Sequence, residues 1–153
     1  MATDRQEQIR ARSHDELIAC RFFIDVEGLL WGIFKECSGL NGEIQVETYQ
    51  EGGLNDYEHK LAGRTKFGNV TLKSGVATTG GLWDWFQKVS HGQVERMNVS
   101  IVLCLQNTEE AMRWNLREAY PVRWEGPTLV AGDTNIALHS LELAHHGLEL
   151  SRA

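Results

Sequence analysis

The dominant regularity of the chain is a period of two. In RFFIDV the residues Phe22, Ile24 and Val26 fall on one face, because successive side chains of a strand point to opposite sides. EIQVETY sets Ile44 and Val46 opposite Glu43, Gln45 and Glu47, and MNVSIVLCL aligns Met97, Val99, Ile101, Leu103 and Leu105. On the other side of that segment Asn98, Ser100 and Gln106 alternate with Val102 and Cys104. AMRWNLREA places Met112, Trp114 and Leu116 against Arg113, Asn115 and Arg117, a pattern that a short helix would also tolerate. LWGIFKECSG continues the first strand after a turn near Gly28, NVTLKSG is a further short strand, and NIALHSLELAHHGLEL is a weakly alternating last one. Strands of this kind bury one face and wet the other.

One segment departs from that period. In TTGGLWDWFQKVSHG the residues Leu82, Trp85, Phe86 and Val89 recur at helical spacing, which predicts a short amphipathic helix. Asp84 is expected near the positive end of its dipole, with His91 and Gly92 capping the other end. Trp83 lies off the stripe, either folded over the helix edge or touching another subunit. Seven or eight strands and one helix in 153 residues make the fold class mainly β: a small β-barrel or sandwich with one flanking helix. No repeat, low-complexity tract or linker divides the chain, so one domain over 17–153 is expected, preceded by a charged segment, 1–16.

Chemistry is harder to find. A formal net charge of −6 sets the average surface against phosphate backbones. Cys20, Cys37 and Cys104 form no C-x-x-C pair and are expected as small buried residues of a reducing compartment. The N-terminus lacks an apolar signal core, and no run approaches the ~20 apolar residues of a membrane span, so cytoplasmic synthesis without membrane insertion is expected. Gly75, Gly80 and Gly81 imitate the glycine spacing of a phosphate loop, but Leu82 and Trp83 occupy the positions where Lys and Ser or Thr would reach phosphate and Mg²⁺. No G-x-S-x-G elbow occurs. His145 and His146 on a strand would point to opposite faces and could not grip one metal. Glu109 and Glu110 are expected in a solvated turn, and the N-x-S/T triplets at Asn69 and Asn98 inside strands, where glycosylation is improbable. No catalytic, cofactor-binding or metal-ligating residue is proposed, and no enzyme.

From Tyr49 to Lys66 the chain carries both signs of charge, the adjacent glycines Gly52 and Gly53, and no apolar period. Loops beyond about 12–15 residues are uncommon in compact domains and are usually functional or disordered. Composition and length alone leave open which of the two this one is.

Several motifs occur in a characteristic order: FFIDVEG, GIFKECSGLNGEIQVETYQEGG, HKLAGRTKFGNVTLKSG, WDWF, ERMNVSIVL, AYPVRWEGPTL and LELAHHGLEL. Over about residues 18–149 this order resembles the tail-tube proteins of contractile phages and of extracellular contractile injection systems. Ala62 stands where relatives commonly carry proline, which would loosen the loop before assembly, and the charged segment before Leu17 is longer than usual.

The resemblance implies a protomer that assembles six to a ring, with rings stacked into a tube. The implied partners are other copies of itself, a surrounding sheath, baseplate or hub and tube-terminating proteins, and a luminal cargo of protein or DNA. If each of six protomers gave about four strands to the wall, a spacing of roughly 4.8 Å would make a backbone diameter of about 37 Å. Lumen candidates are Glu43, Gln45, Glu47, Asn98, Ser100, Arg113, Asn115 and Arg117, for which ordinary solvated sheet is the alternative. The resemblance also implies that the Tyr49–Lys66 loop is an arm for contacts between subunits, with Tyr49, Glu51, Gly52, Gly53, Asn55, Asp56, Tyr57, Glu58, His59, Lys60, Gly63, Arg64 and Lys66 as interface candidates. A secreted tube of the haemolysin-coregulated type shares the implied architecture, and a monomeric ligand-binding barrel would need an apolar pocket instead.

Overall fold

The computed structural model describes residues 21–27, 29–53, 56–75, 80–105, 109–133 and 138–152. The 1–16 segment, Cys20, the turn at Gly28, Asn55 and Gln106 lie outside them. Among the described residues the elements run β1 (Arg21–Val26), β2 (Leu29–Phe34), β3 (Glu36–Ser38), β4 (Gly42–Tyr49), β5 (His59–Phe67), β6 (Val70–Gly75), α1 (Gly80–Ser90), β7 (Met97–Cys104), β8 (Glu110–Glu125), β9 (Leu138–Ala144) and β10 (Gly147–Arg152).

The long strand β8 organises the molecule. Its first half pairs with β7 and β10, its second half with β9, and every ladder is antiparallel. The sheet order is β2-β1-β7-β8-β9-β6-β3, with β10 also on β8. AMRWNLREA is therefore strand, and AYPVRWE continues it without a corner. Pro121, which has no N–H to give a ladder, sits where the β8–β9 register shifts. Glu110 opens β8 rather than lying in a turn, because it pairs with Cys104 of β7 beside the Leu105 N–H to Glu109 carbonyl bond.

The two end strands of this order, β2 and β3, are separated in the chain by Lys35 alone, whose N–H donates to the Lys73 carbonyl at 2.9 Å. They are not ladder neighbours, so the sheet folds over without closing. The expectation of a barrel is corrected to an open, folded sheet of sandwich character: the chain itself passes between the end strands where a closing ladder would have to run.

The predicted apolar faces meet inside. Ile24, Val26, Val99, Ile101 and Leu116 from one half of the sheet pack with Val70, Leu72, Leu141 and Leu143 from the other and with Leu82 and Trp85 of α1. At about 1.5–3 kcal/mol for each large side chain removed from water, this cluster is the main source of stability. The Trp85 indole N–H donates to the Glu95 carbonyl at 2.8 Å, so burial leaves no orphan donor there.

Helix α1 ends as its sequence implies. Gly92 has φ +88°; its N–H donates to the Val89 carbonyl and that of Gln93 to the Lys88 carbonyl, which is the Schellman arrangement. The His91 ring donates through Nδ1 to the Gln87 carbonyl at 2.6 Å, capping the last turn. Asp84 does not serve the dipole at the start, because α1 begins at Gly80 and has no acidic residue in its first turn. Trp83, 39% exposed, lies edge-on to Trp124 at 5.0 Å and beside Phe86 at 5.7 Å, folded over the helix margin.

Candidate functional site

The segment expected to be a long structureless loop is a hairpin. β4 and β5 pair from Gly42↔Phe67 to Tyr49↔His59 as a separate two-stranded ribbon. Sequence alternation failed to find β5 because HKLAGRTKF has no apolar face, and a strand wet on both sides need not show one. The ribbon extends the β3–β6 ladder beyond a glycine joint. A Cβ on Gly39 would stand 2.0 Å from the Asn69 carbonyl oxygen, and one on Gly68 would stand 2.2 Å from Asn41 Oδ1. At Gly39, with φ +85°, the obstacle is main chain, which only glycine admits, whereas at Gly68 it is the end of the Asn41 side chain.

Among the described residues the ribbon beyond the joint packs chiefly on itself. All eight residues of β4 are exposed, so Ile44 and Val46, expected on a half-buried face, stand 56% and 60% exposed. Across the ribbon Val46 faces Ala62 and Ile44 faces Thr65, which leaves an uncovered apolar strip. Leu61 is exposed as well, as are Tyr49 and Tyr57. Water alone holds a two-stranded hairpin only marginally.

The structure brings the interface candidates together on this ribbon. His59, Lys60, Gly63, Arg64 and Lys66 lie on β5 and Tyr49 ends β4, while Glu51, Gly52, Gly53, Asp56, Tyr57 and Glu58 form the tip. The tip is internally tied: His59 Nε2 lies 3.1 Å from Glu51 Oε2, Gln50 donates to Glu58, and the Tyr57 ring meets His59 edge-on at 5.2 Å. Gly63 faces a register shift near Gln45, whose carbonyl would be 3.0 Å from an added Cβ.

The lumen candidates separate into two groups. Glu43, Gln45 and Glu47 lie on the ribbon, with Glu43 paired across to Lys66. The others lie on the main sheet, where a polar row crosses four strands in register, Asp25↔Ser100↔Asn115↔Glu149. Ser100 Oγ donates to Asn115 Oδ1 at 2.8 Å, and Arg117 Nε lies 3.6 Å from Glu149 Oε1. Arg113 is half-buried, bonded to Glu110 at 2.7 Å and to Asp25 at 3.4 Å. Its hydrogen bond holds the Glu110 carboxyl below the ordinary carboxylate value. Asn98 has a local duty: its Oδ1 accepts from the N–H of Glu118 at 3.2 Å, where the chain takes φ +50°. Asp25, Glu149 and Ser151 were missed as members of this face. β10 does alternate, GLELSR, but only the ladder to β8 aligns its polar side with Asn115 and Arg113.

His145 and His146 are not on a strand; they stand between β9 and β10. His145 is buried, while His146 lies outside, bonded to Glu118 at 2.6 Å beside Arg96. That bond holds the Glu118 carboxyl low. Among the described residues no three His, Cys, Asp or Glu side chains group to hold a metal, and no helix is long and apolar enough to cross a membrane. Burial pushes the Cys37 thiol up to about 11 and raises that of Cys104.

The fold is shared with known proteins. A chain of an extracellular contractile injection system, from the PVC sheath–tube complex in its extended state, aligns at 27% identity with a TM-score of 0.77, covering 87% of this chain and 89% of that one. A chain of the anti-feeding prophage baseplate aligns at 25% identity and TM-score 0.73, covering 87% and 92%. Hcp1 from Flavobacterium johnsoniae, at 13% identity and TM-score 0.56 over 87% and 96%, shares the fold. No curated protein matches. The family model of the T4-like virus tail tube protein gp19 matches residues 18–149, almost the whole chain, and the protein belongs to that tail tube family.

Proposed function

We propose that this tail tube subunit closes six to a ring and that the β4–β5 ribbon is the arm by which it grips a neighbouring subunit or ring. The observation that carries this reading is the exposed apolar strip of Ile44, Val46 and Ala62 on a ribbon that, among the described residues, packs chiefly on itself. A neighbour that covers the strip supplies the layer the ribbon lacks, and the two-signed charges around it, from Glu51 to Lys66, set register.

The row from Asp25 to Glu149 is assigned to the lumen. Its charges are internally matched by Arg113 and Arg117, which makes a wet wall along which protein or DNA cargo slides without apolar adhesion. Glu43, Gln45 and Glu47 extend this polar character onto the arm. The relatives come from a sheath–tube complex, a baseplate and a tube-terminating cap, and equivalent partners are proposed here: a contractile sheath outside, a baseplate at one end and a terminator at the other, assembled in the bacterial cytoplasm. Such a subunit has no call for catalysis.

The test is assembly. The pair Glu43↔Lys66 would become the last of a shortened ribbon, stripped of Ile44, Val46 and Ala62, if 44–65 were replaced by Asn-Gly, a dipeptide suited to a tight hairpin. The folded protomer should survive and tubes should vanish by negative-stain microscopy. Tubes of normal length from this variant would remove the arm from the account.

A further inference from the structure

The arm leaves the body at Gly68 and Asn69, and both are held from the same place. His145 is 9% exposed, with Nε2 at 2.9 Å from the Gly68 carbonyl and Nδ1 at 3.1 Å from the Gly147 carbonyl. Its ring also packs against Phe67, the last residue of β5, at 5.6 Å between centroids. Asn69 Nδ2 donates to Glu142 Oε1 on β9 at 2.7 Å. Both of the ring's partners are carbonyl oxygens, which only accept; an imidazolium donates to both and a neutral ring to one.

The glycine joint explains why tethers are needed here. Across the joint runs one long main-chain bond, Gly68 N–H to the Asn41 carbonyl at 3.4 Å, and neither Gly39 nor Gly68 supplies a side chain to fix the angle between the β3–β6 ladder and the ribbon. A projecting ribbon on an unfixed joint would sample many directions, and a contact made by it would have to overcome that lost freedom.

We propose that His145 is a positioning residue: from the break between β9 and β10 it pins the root of the arm, sets the arm's direction before assembly, and with Glu142 makes the joint rigid. This rests on the reading of the ribbon as the assembly arm. His146 faces outward to Glu118 and Arg96, so the dipeptide divides its work, one ring holding the arm and the other the positive-φ residue Glu118 of β8.

The test measures direction and assembly separately. Spin labels at Asp56→Cys and Gln87→Cys, in a Cys20→Ser background, report the distance from arm tip to helix in the free protomer. His145→Phe keeps a buried ring but no donor. It is expected to broaden the distance distribution at least twofold and to raise the concentration needed for tubes at least tenfold, with circular dichroism unchanged. His145→Gln, which keeps a donor, should restore much of the narrow distribution. Asn69→Ala leaves the buried ring in place and should broaden it in the same sense, which keeps the proposal exposed if His145→Phe fails to fold. An unchanged distribution in His145→Phe, or a broadened one with normal tube formation, overturns the pin. Normal tubes from the shortened ribbon overturn the arm instead, whatever the spin labels report.

Discussion

Replacing Ile44 and Val46 together by alanine tests the proposed interface without touching the core. Both side chains stand more than half exposed, at 56% and 60%, so their removal costs the free protomer little. Burial is worth about 0.8 kcal/mol per CH₂; applied to the exposed share of the carbons lost, it comes to roughly 2 kcal/mol per arm in the assembled state. At about 1.4 kcal/mol per tenfold, each contact weakens about 30-fold. If six arms engage together between rings, the loss approaches 12 kcal/mol per ring junction, and stacking should cease at concentrations where the unaltered chain forms tubes. The assay is sedimentation of assembled material against concentration, with negative-stain images and a thermal melt of the unassembled protomer. Equal tube yield from the double variant would refute the reasoning. So would a large fall in the melting temperature of the protomer, because the strip would then have been covered within the chain.

Three further expectations follow from the geometry. Glu110 is held low by its hydrogen bond from Arg113, so the stability this pair contributes is present above the ordinary carboxylate value of 4.5 and is lost as pH falls through the depressed one; Arg113→Met should flatten the fall in melting temperature between about pH 6 and pH 3. Cys37, with its thiol pushed up to about 11, should resist iodoacetamide at pH 8 in the folded protein and react on unfolding; rapid native labelling would contradict its burial. Gly39→Ala must accommodate both φ +85° and a Cβ 2.0 Å from the Asn69 oxygen, so it should destabilise by more than about 1 kcal/mol in denaturant titrations and lower tube yield.

Much of the protomer was legible because the core obeys simple periodicity. Phe22, Ile24 and Val26, or Val99 and Ile101, alternate because one sheet face is dry, and the stripe of Leu82 and Trp85 repeats because one helix face is. β5 was illegible for the converse reason. Among the described residues it packs chiefly on its partner β4, so little selects an apolar face, and Ala62 and Leu61 do not make a pattern by themselves. The order of motifs carries the family resemblance through local features that recur together rather than through a site.

Sequence alone thus determined the strand-rich class, the helix with its glycine cap, and the membership of a tube-forming family, since each depends on neighbours close in the chain. Tertiary structure decided that the sheet stays open, that the supposed loop is a ribbon beyond a glycine joint, that Asp25, Ser100, Asn115 and Glu149 stand in one row, and that His145 reaches Gly68. These depend on ladder register and on contacts between residues far apart in the chain, and alternation states only which side of its own strand a residue faces.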